Sequence, residues 1–594
     1  MKSLQSIDIK RFWPIAVSLL FGCVMYWFWR VPYVSMLSYH EQYQLFTFDI
    51  EYFLERIVVP GGLADYLSEF VVQFFYTPSF GALLLALLFV ALQCVFWLIC
   101  RSFGAIKCWY SLSFVPAFLL WFMMSDENIM PTLPMALLAN LAFSLAYFRW
   151  RKWLLAVVIV PLSYWLFGPA VVVFVIIAVL TEINLKRYQS AIYLAVALVL
   201  VALLSAILSS YRPYEFHRFF VGINYYRYAQ YDPTVQIVVT FLCAVLPFAI
   251  GKIRPIKVVP AVAVSVVVFA VGGVLIRGAF NLQKHELIEY EYLVRSEQWQ
   301  KIIDKAELRP AMTPMSVACV NLALSQKGLL CDRIFEFFQN GTEGLIPPFL
   351  RNMTSPILTA EIFLRLGMVN DAHRYFFEAQ EAIPNYRRSA RLTKRLVQCE
   401  IVNGNYDVAR KWLHQLERTI FYKKWARNTL RILDNEAAVA KEPFYANLRS
   451  IRHNGNDYLF SDTEMDQMLG LLFMCNKHNR MAYEYLMCYV LLQYNLEKFM
   501  SYYSLGKYVG YQRIPRAIQE VLIGSWLQKN SDPKSIPYSV DGATLSNTMN
   551  FIRIYSKNHN DPQLDRTPYK SNAWHYLLKG SVTERTADDR HEIY

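Results

Sequence analysis

The sequence predicts an all-α protein in two parts, a polytopic bundle of about nine transmembrane helices followed by a soluble solenoid of paired helices. Three observations carry this. From Phe12 to about Ile276 apolar runs follow one another with little polar sequence between them, and from Asn281 to Tyr594 no comparable run occurs. Charged residues are only 18% of the 594 and hydrophobic ones 55%, where about a quarter charged is usual for a soluble chain. In the second half the apolar pattern shortens to amphipathic pairs separated by glycine. The expected domains are 1–277 in the membrane, 278–530 as helical repeats, and 531–594 as a partly irregular tail rich in Pro, Ser and Asn.

A crossing needs about 20 apolar residues to span roughly 30 Å of hydrocarbon. The candidates are 12–30, 79–100, 108–124, 130–148, 153–183, 189–209, 234–251 and 258–276. The first follows Lys2, Lys10 and Arg11, has no small-residue cleavage site after it, and ends in Tyr26, Trp27, Trp29 and Arg30. It reads as an uncleaved signal anchor with an interfacial aromatic end. The stretch 153–183 would reach about 46 Å as one helix, well beyond the core. Its centre is Phe167-Gly168-Pro169, and proline removes a backbone donor and disfavours helix in the residue before it. A short hairpin is expected there, crossing twice or dipping in and returning, with both ends on one side.

The positive-inside rule supports the hairpin. With it, Arg101, Lys107, Arg149, Arg151, Lys152, Lys186, Arg187, Lys252, Arg254 and Lys257 share the side of the N-terminus. Glu41, Asp49, Glu51, Glu55, Asp65, Glu69, Asp126 and Glu127 fall on the other. This implies a cytoplasmic N-terminus and an exported second half. The net charge of +13 is not gathered into a basic tract, so no nucleic-acid partner is expected. The ten cysteines form no CxxC and no zinc spacing. They read as small buried hydrophobes, and the five in the second half leave at least one unpaired, against a disulfide framework.

The second half repeats a helix, a turn and a helix. Leu293–Trp299 leads to Ala306, and Leu322–Gly328 to Phe335. Ile362–Gly367 leads to Ala372 and Tyr375, and Gln398–Gly404 to Ala409 and Trp412. Gly367 and Gly404 are 37 residues apart, as are Ala372 and Ala409. Glycine ends the first helix and the small alanine lets the second pack closely. The pattern resembles degenerate tetratricopeptide repeats, whose period is about 34, and implies a concave surface for a protein or peptide. Trp574–Leu578 is expected to dock as a last element of the tail.

No nucleophile elbow, Walker A loop, HExxH, dinucleotide fingerprint or zinc-deaminase pattern occurs. Chemistry is therefore sought in three outward loops. The first, 31–78, carries Asp49, Glu51 and Arg56 among aromatics that suit the outer interface. The second is Ser125-Asp126-Glu127-Asn128, and the third, 211–233, holds Arg212, His217, Arg218, Tyr225, Tyr226 and Arg227. Carboxylates there suit base or metal work, arginine forks suit phosphate oxygens, and aromatics suit sugar rings. Each also has a plainer reading: acids collect outside because those loops avoid Lys and Arg, and aromatics form interface belts.

Phe48–Leu54, Pro60–Leu67, Phe75–Pro78 and Ala482–Met487 resemble a bacterial family of polytopic membrane proteins of unknown function, which implies no activity. The topology is similar to that of GT-C glycosyltransferases, in which a long first external loop carries a catalytic acid and some members end in external tetratricopeptide repeats. Ser125–Leu138 is similar to their junction between the third and fourth spans. The resemblance implies transfer of sugar from a polyprenyl-phosphate donor to an envelope or secreted protein. Asp49 or Glu51 would be the base or the ligand of a divalent metal ion, assisted by Asp126 or Glu127. Arg56, Arg212, Arg218 and Arg227 would hold the donor phosphate, with His217, Tyr225 and Tyr226 as accessory groups. Here Asp49 and Glu51 are separated by Ile50 rather than adjacent. The alternative is a membrane-anchored scaffold whose repeats recruit assembly or export partners. A transporter is disfavoured because few charges lie within the spans.

Overall fold

The computed structural model describes residues 9–209, 214–227, 231–350, 354–384, 387–453, 460–461, 463–530 and 532–580, with side chains from Trp13 onward except at 534. Among them the fold is all-α; the sole strand-like feature is an isolated antiparallel bridge between Ile129 and Tyr226. The chain divides into two compact units. The first comprises Met1–His285 and Arg418–Lys423, the second Glu286–Glu417 and Lys424–Tyr594.

In the first unit α1 (Ile9–Arg30) breaks at Pro32 and turns by 75° into α2 (Val34–Glu41). Proline there cannot continue the backbone ladder. The first loop folds into α3 (Ile50–Ile57) and α4 (Gly62–Val72). Next come α5 (Pro78–Ser102), a 3₁₀ stretch Lys107–Phe114 running into α6 (Val115–Met124), and α7 (Thr132–Trp150). Then follow α8 (Trp153–Phe167), α9 (Val171–Asn184), α10 (Tyr188–Ser209), α11 (Arg218–Val221), α12 (Thr234–Lys252) and α13 (Val258–Gly278). Among the described residues six helical stretches are long and apolar enough to cross a membrane, or seven if α1 and α2 make one bent span. The chain is thus a multi-pass membrane protein, but the expected nine is not reached. Buried Asn140 and Ser144 and terminal Arg149 dilute the apolarity of α7, and 153–184 counts as one stretch.

That stretch is nonetheless folded back on itself. The Trp153 ring stacks on Tyr193 at 4.9 Å, and the Tyr164 hydroxyl bonds to Ser205. Hence α8 lies beside α10 and runs in the same direction. Since α10 follows α9 through the tight turn 185–187, α9 must run back between them. The arms of 15 and 14 residues reach about 22 and 21 Å, short of a full crossing of roughly 30 Å. The tip is a glycine conformation, Gly168 at φ 71° and ψ −157°. The Gly61 Cα would lie 3.4 Å from a Cβ at Gly168, so the first loop seats directly on the tip.

The loops then sort to two ends. At one, Phe103 meets Phe148 (4.8 Å) and Phe248 (5.4 Å), Trp109 Nε1 donates to the Arg254 carbonyl, and Lys252 Nζ donates to Asn184 Oδ1 (2.8 Å). These contacts gather the basic loops. At the other, Trp165 Nε1 donates to the Ile57 carbonyl (3.0 Å), Gly61 N to the Trp165 carbonyl (2.9 Å), Arg227 N to the Asn128 carbonyl (3.0 Å), and a His40 nitrogen faces the Ile129 carbonyl (3.0 Å). These gather the acidic loops with the hairpin tip. The short segment Arg418–Lys423 also belongs here: Phe421 stacks on Tyr76 at 5.1 Å and the Tyr422 hydroxyl donates to Glu41 (2.9 Å).

In the second unit successive helices pack as neighbouring pairs. Following α14 (Leu282–Arg295), which spans the unit boundary, these include α15 (Trp299–Leu308), α16 (Pro314–Gln326), α17 (Leu330–Arg333), α18 (Ser355–Leu366), α19 (Val369–Glu381), α20 (Ala390–Asn403) and α21 (Tyr406–Glu417). Gly367 and Gly404 cap α18 and α20 in the left-handed conformation, at φ 88° and 84°. A Cβ at Gly367 would stand 2.6 Å from the Ile451 carbonyl oxygen. Ala372 and Ala409 are fully buried. After α22 (Lys423–Leu433), α23 (Glu436–Lys441) and α24 (Pro443–Ile451) come α25 (Met465–Cys475) and α26 (Arg480–Leu492). Asn479 ties their turn to two others: Nδ2 donates to the carbonyls of Leu366 (2.6 Å) and Ile451 (2.9 Å).

The tail combines helices with irregular stretches. After α27 (Leu496–Tyr503) and α28 (Arg516–Leu527), residues 542–579 form α29 (Gly542–Lys557) and α30 (Ala573–Lys579) and belong to the second unit. Phe551, Leu564 and Trp574 make a small core, and Trp574 Nε1 donates to the Glu520 carbonyl at 2.7 Å. Its Pro and Asn are helix-end residues such as Pro568 and Asn572, which mimic irregular sequence. Residues 581–594 lie outside the described ones.

Burial pushes the Glu520 carboxyl up to about 7, although the Ala573 N–H and Arg516 pull the other way. A raised folded value means stability present below about pH 4.5 and lost as pH rises to about 7. We expect Glu520→Gln, which keeps the Ala573 hydrogen bond, to flatten this slope and to gain about 2 kcal/mol at pH 8. Melting temperatures of the detergent-solubilised chain across pH 5–8 measure this, and an unchanged slope would contradict it.

Candidate functional site

The site begins where α6 ends. Asp126 Oδ1 accepts the Asn128 N–H at 2.8 Å, an Asx turn that stops the helix and holds both carboxylates at its mouth. The Tyr231 hydroxyl bonds to Asp126, and Lys284 Nζ donates to Glu127 Oε1 at 2.8 Å. Together they line a cavity of about 200 Å³. Its apolar wall is Tyr33, Met36, Phe122 and Met123, and its polar side adds His285, whose ring faces the Pro32 carbonyl at 3.1 Å.

Burial raises the Asp126 carboxyl above the usual range, and the Glu127 charge adds to it; the Asn128 N–H, Lys284 and Arg227 oppose. Burial disfavours the Lys284 ammonium, but its bond to Glu127 and the field of both carboxylates more than offset this, so Lys284 holds its proton more tightly than usual. Tyr231 is raised, by burial first and then by the two acids. The result is one proton-accepting carboxylate beside one carboxylate neutralised by an ammonium.

The turn is braced from behind. Arg227 Nη1 donates to the Glu127 carbonyl (2.7 Å), its own N–H donates to the Asn128 carbonyl, and its guanidinium lies over the Tyr43 ring. Tyr226 pairs with Ile129 and stacks on Tyr231 at 4.4 Å. Both therefore position the acidic turn rather than face the cavity.

The remaining sequence candidates lie elsewhere. Asp49 caps α3, accepting the Tyr52 N–H at 2.7 Å, with its other oxygen 3.7 Å from Arg418. Glu51 is exposed on the first turn of that helix. Arg56 is committed to Glu69 (2.8 Å) and Asp65 (3.9 Å), both fully buried, and lies 4.3 Å over the Tyr52 ring; the acids lift it well above its usual value against burial. Arg218 donates to the Ile223 carbonyl. His217 is exposed beside Glu215. The Tyr225 hydroxyl donates to the Phe167 carbonyl and accepts the Ala170 N–H, sealing the hairpin tip. Arg212 lies outside the described residues. Lys284, His285 and Tyr231 escaped the sequence reading. The first two follow the last span in what reads as the start of the soluble half, and nothing local links Tyr231 to Asp126.

Among the described residues no group of three or more His, Cys, Asp or Glu side chains is arranged to hold a metal ion. Asp126 and Glu127 are already engaged by Tyr231 and Lys284, so the residues present do not fit a divalent-metal cage.

Arg227→Lys should lower stability by about 1–3 kcal/mol, because an ammonium keeps the charge but loses the fork that braces the turn. Glu51→Gln, on an exposed face, should change it by less than about 0.5 kcal/mol. Parallel melting of the two variants tests this, and equal effects would contradict the assigned roles.

No curated protein and no solved structure matches this chain. The profile described as Family of unknown function (DUF6057) matches residues 10–580, almost the whole length, and the chain belongs to that family.

Proposed function

We propose that the chain is a GT-C-like transferase that moves a sugar from a polyprenyl-phosphate donor to an envelope protein, with the Asp126–Glu127 cavity as its centre. The observation that carries this is the cavity's double character. Phe122 and Met123 give it an apolar wall at the end of a candidate span, and Asp126 gives it a carboxylate of raised proton affinity. An acceptor hydroxyl gives its proton to Asp126 while its oxygen attacks the anomeric carbon. The new glycosidic bond forms as the bond to the prenyl phosphate breaks, and the phosphate leaves with the electron pair. Lys284 is the cation lining the cavity and faces that phosphate. No step uses a metal ion.

The gathering of Lys and Arg loops at one end supports a cytoplasmic basic end in a bacterial inner membrane. On that reading α13 delivers the chain to the periplasmic side, where the helix pairs, taken as tetratricopeptide-like, present the acceptor. A scaffold is the second reading. It is favoured by the internal use of Asp49, Arg56, Arg218 and Arg227.

Asp126→Asn should abolish glycan transfer to envelope proteins in cells by at least about 100-fold with the chain still folded, and Asp49→Asn should leave transfer largely intact. Since the Asp126 carboxyl is raised, transfer should fall with acid at a higher pH than an ordinary carboxylate would set. Normal transfer by Asp126→Asn would leave the scaffold reading.

A further inference from the structure

The second unit holds a pair of thiols that no part of the proposed chemistry uses. Cys331, on the single-turn helix α17, and Cys488, in the middle of α26, approach to 3.5 Å between sulfurs although 157 residues separate them. Both are about 1% exposed. Cys331 Sγ also faces the Glu484 carbonyl of α26 at 3.7 Å, so the thiol is aimed at that helix. The other second-unit cysteines differ: Cys319 and Cys399 are buried, and Cys475 is exposed.

We propose that Cys331 and Cys488 form a native disulfide stapling α17 to α26. It rests on the reading that places the second unit in the oxidising periplasm. The sulfurs need to close from 3.5 Å to about 2.05 Å, within reach of side-chain rotation and a small backbone shift. Two S–H bonds break and one S–S bond forms. The two electrons and two protons pass to a protein disulfide of the thiol-oxidase class, which becomes a dithiol. The sulfurs are inaccessible once packed, so the bond forms before α17 seats on α26. It closes a long loop containing α18 to α25, the kind of closure that restrains an unfolded chain most.

This differs from a disulfide framework, for which the cysteine number is unsuited. A single staple leaves Cys319 and Cys399 as packing residues and Cys475 as a free surface thiol.

The test uses the full chain taken from membranes, denatured in N-ethylmaleimide and digested without reductant. A joined Cys331–Cys488 peptide, two hydrogens lighter than the two thiol peptides together, is expected, with Cys475 alkylated. Cys331→Ser and Cys488→Ser should each lower the melting temperature by roughly 10 °C, and Cys475→Ser should not. Alkylation of both Cys331 and Cys488 would overturn the proposal. Incubating the reduced, solubilised chain with oxidised and reduced glutathione then identifies the fault. If the bond forms there but not in cells, the compartment was misassigned. If it forms in neither, the thiol geometry was.

Discussion

The turn at Phe167–Ala170 governs the layout of the membrane unit. A break in an apolar helix frees backbone groups that hydrocarbon cannot satisfy. Here the Tyr225 hydroxyl takes up both, donating to the Phe167 carbonyl and accepting from Ala170, while Gly168 adopts a conformation closed to other residues and Gly61 packs on it. Three distant segments thus meet at one point. Because α8 and α9 return to the end they left, each later helix keeps its direction. The basic loops fall together at one end and the acidic loops at the other. A straight helix over 153–184 would invert everything after it and mix the two sets.

The same economy of buried charge separates the framework from the site. A buried guanidinium needs its donors satisfied, and losing a partner costs several kcal/mol. Arg56, Arg218 and Arg227 place donors on Glu69 and on backbone carbonyls, which makes them brackets for α4, the 218–223 turn and the acidic turn. Asp126 and Glu127 are held differently. Their partners, Tyr231 and Lys284, line the same cavity, so the polar groups surround space instead of filling it.

Features set by neighbouring residues were legible in the sequence. Gly168-Pro169 marked the hairpin, and Gly367 and Gly404 marked helix ends because a left-handed cap selects glycine locally. Features set by distant packing were hidden. The return of Arg418–Lys423 to the first unit depends on aromatic stacking with Tyr76, which leaves no periodic trace. The tail looked irregular because Asn572 and Pro568 end helices, while its order comes from Trp574 packed on Glu520 and Gly524. At the site, the acidic pair was visible as two adjacent carboxylates, but its cation arrives from the far side of seven further helices.

The most direct test of this layout is sided labelling with a membrane-impermeant maleimide in intact cells, in a chain whose exposed Cys23 and Cys475 are replaced by serine. Single cysteines at exposed Glu215, in the acidic set, and exposed Arg187, in the basic set, report the two ends. Glu215→Cys should react in intact cells, and Arg187→Cys only after the membrane is opened. Reaction of Arg187→Cys but not of Glu215→Cys in intact cells would mean that the hairpin does not return, and the account of the membrane unit would fall with it.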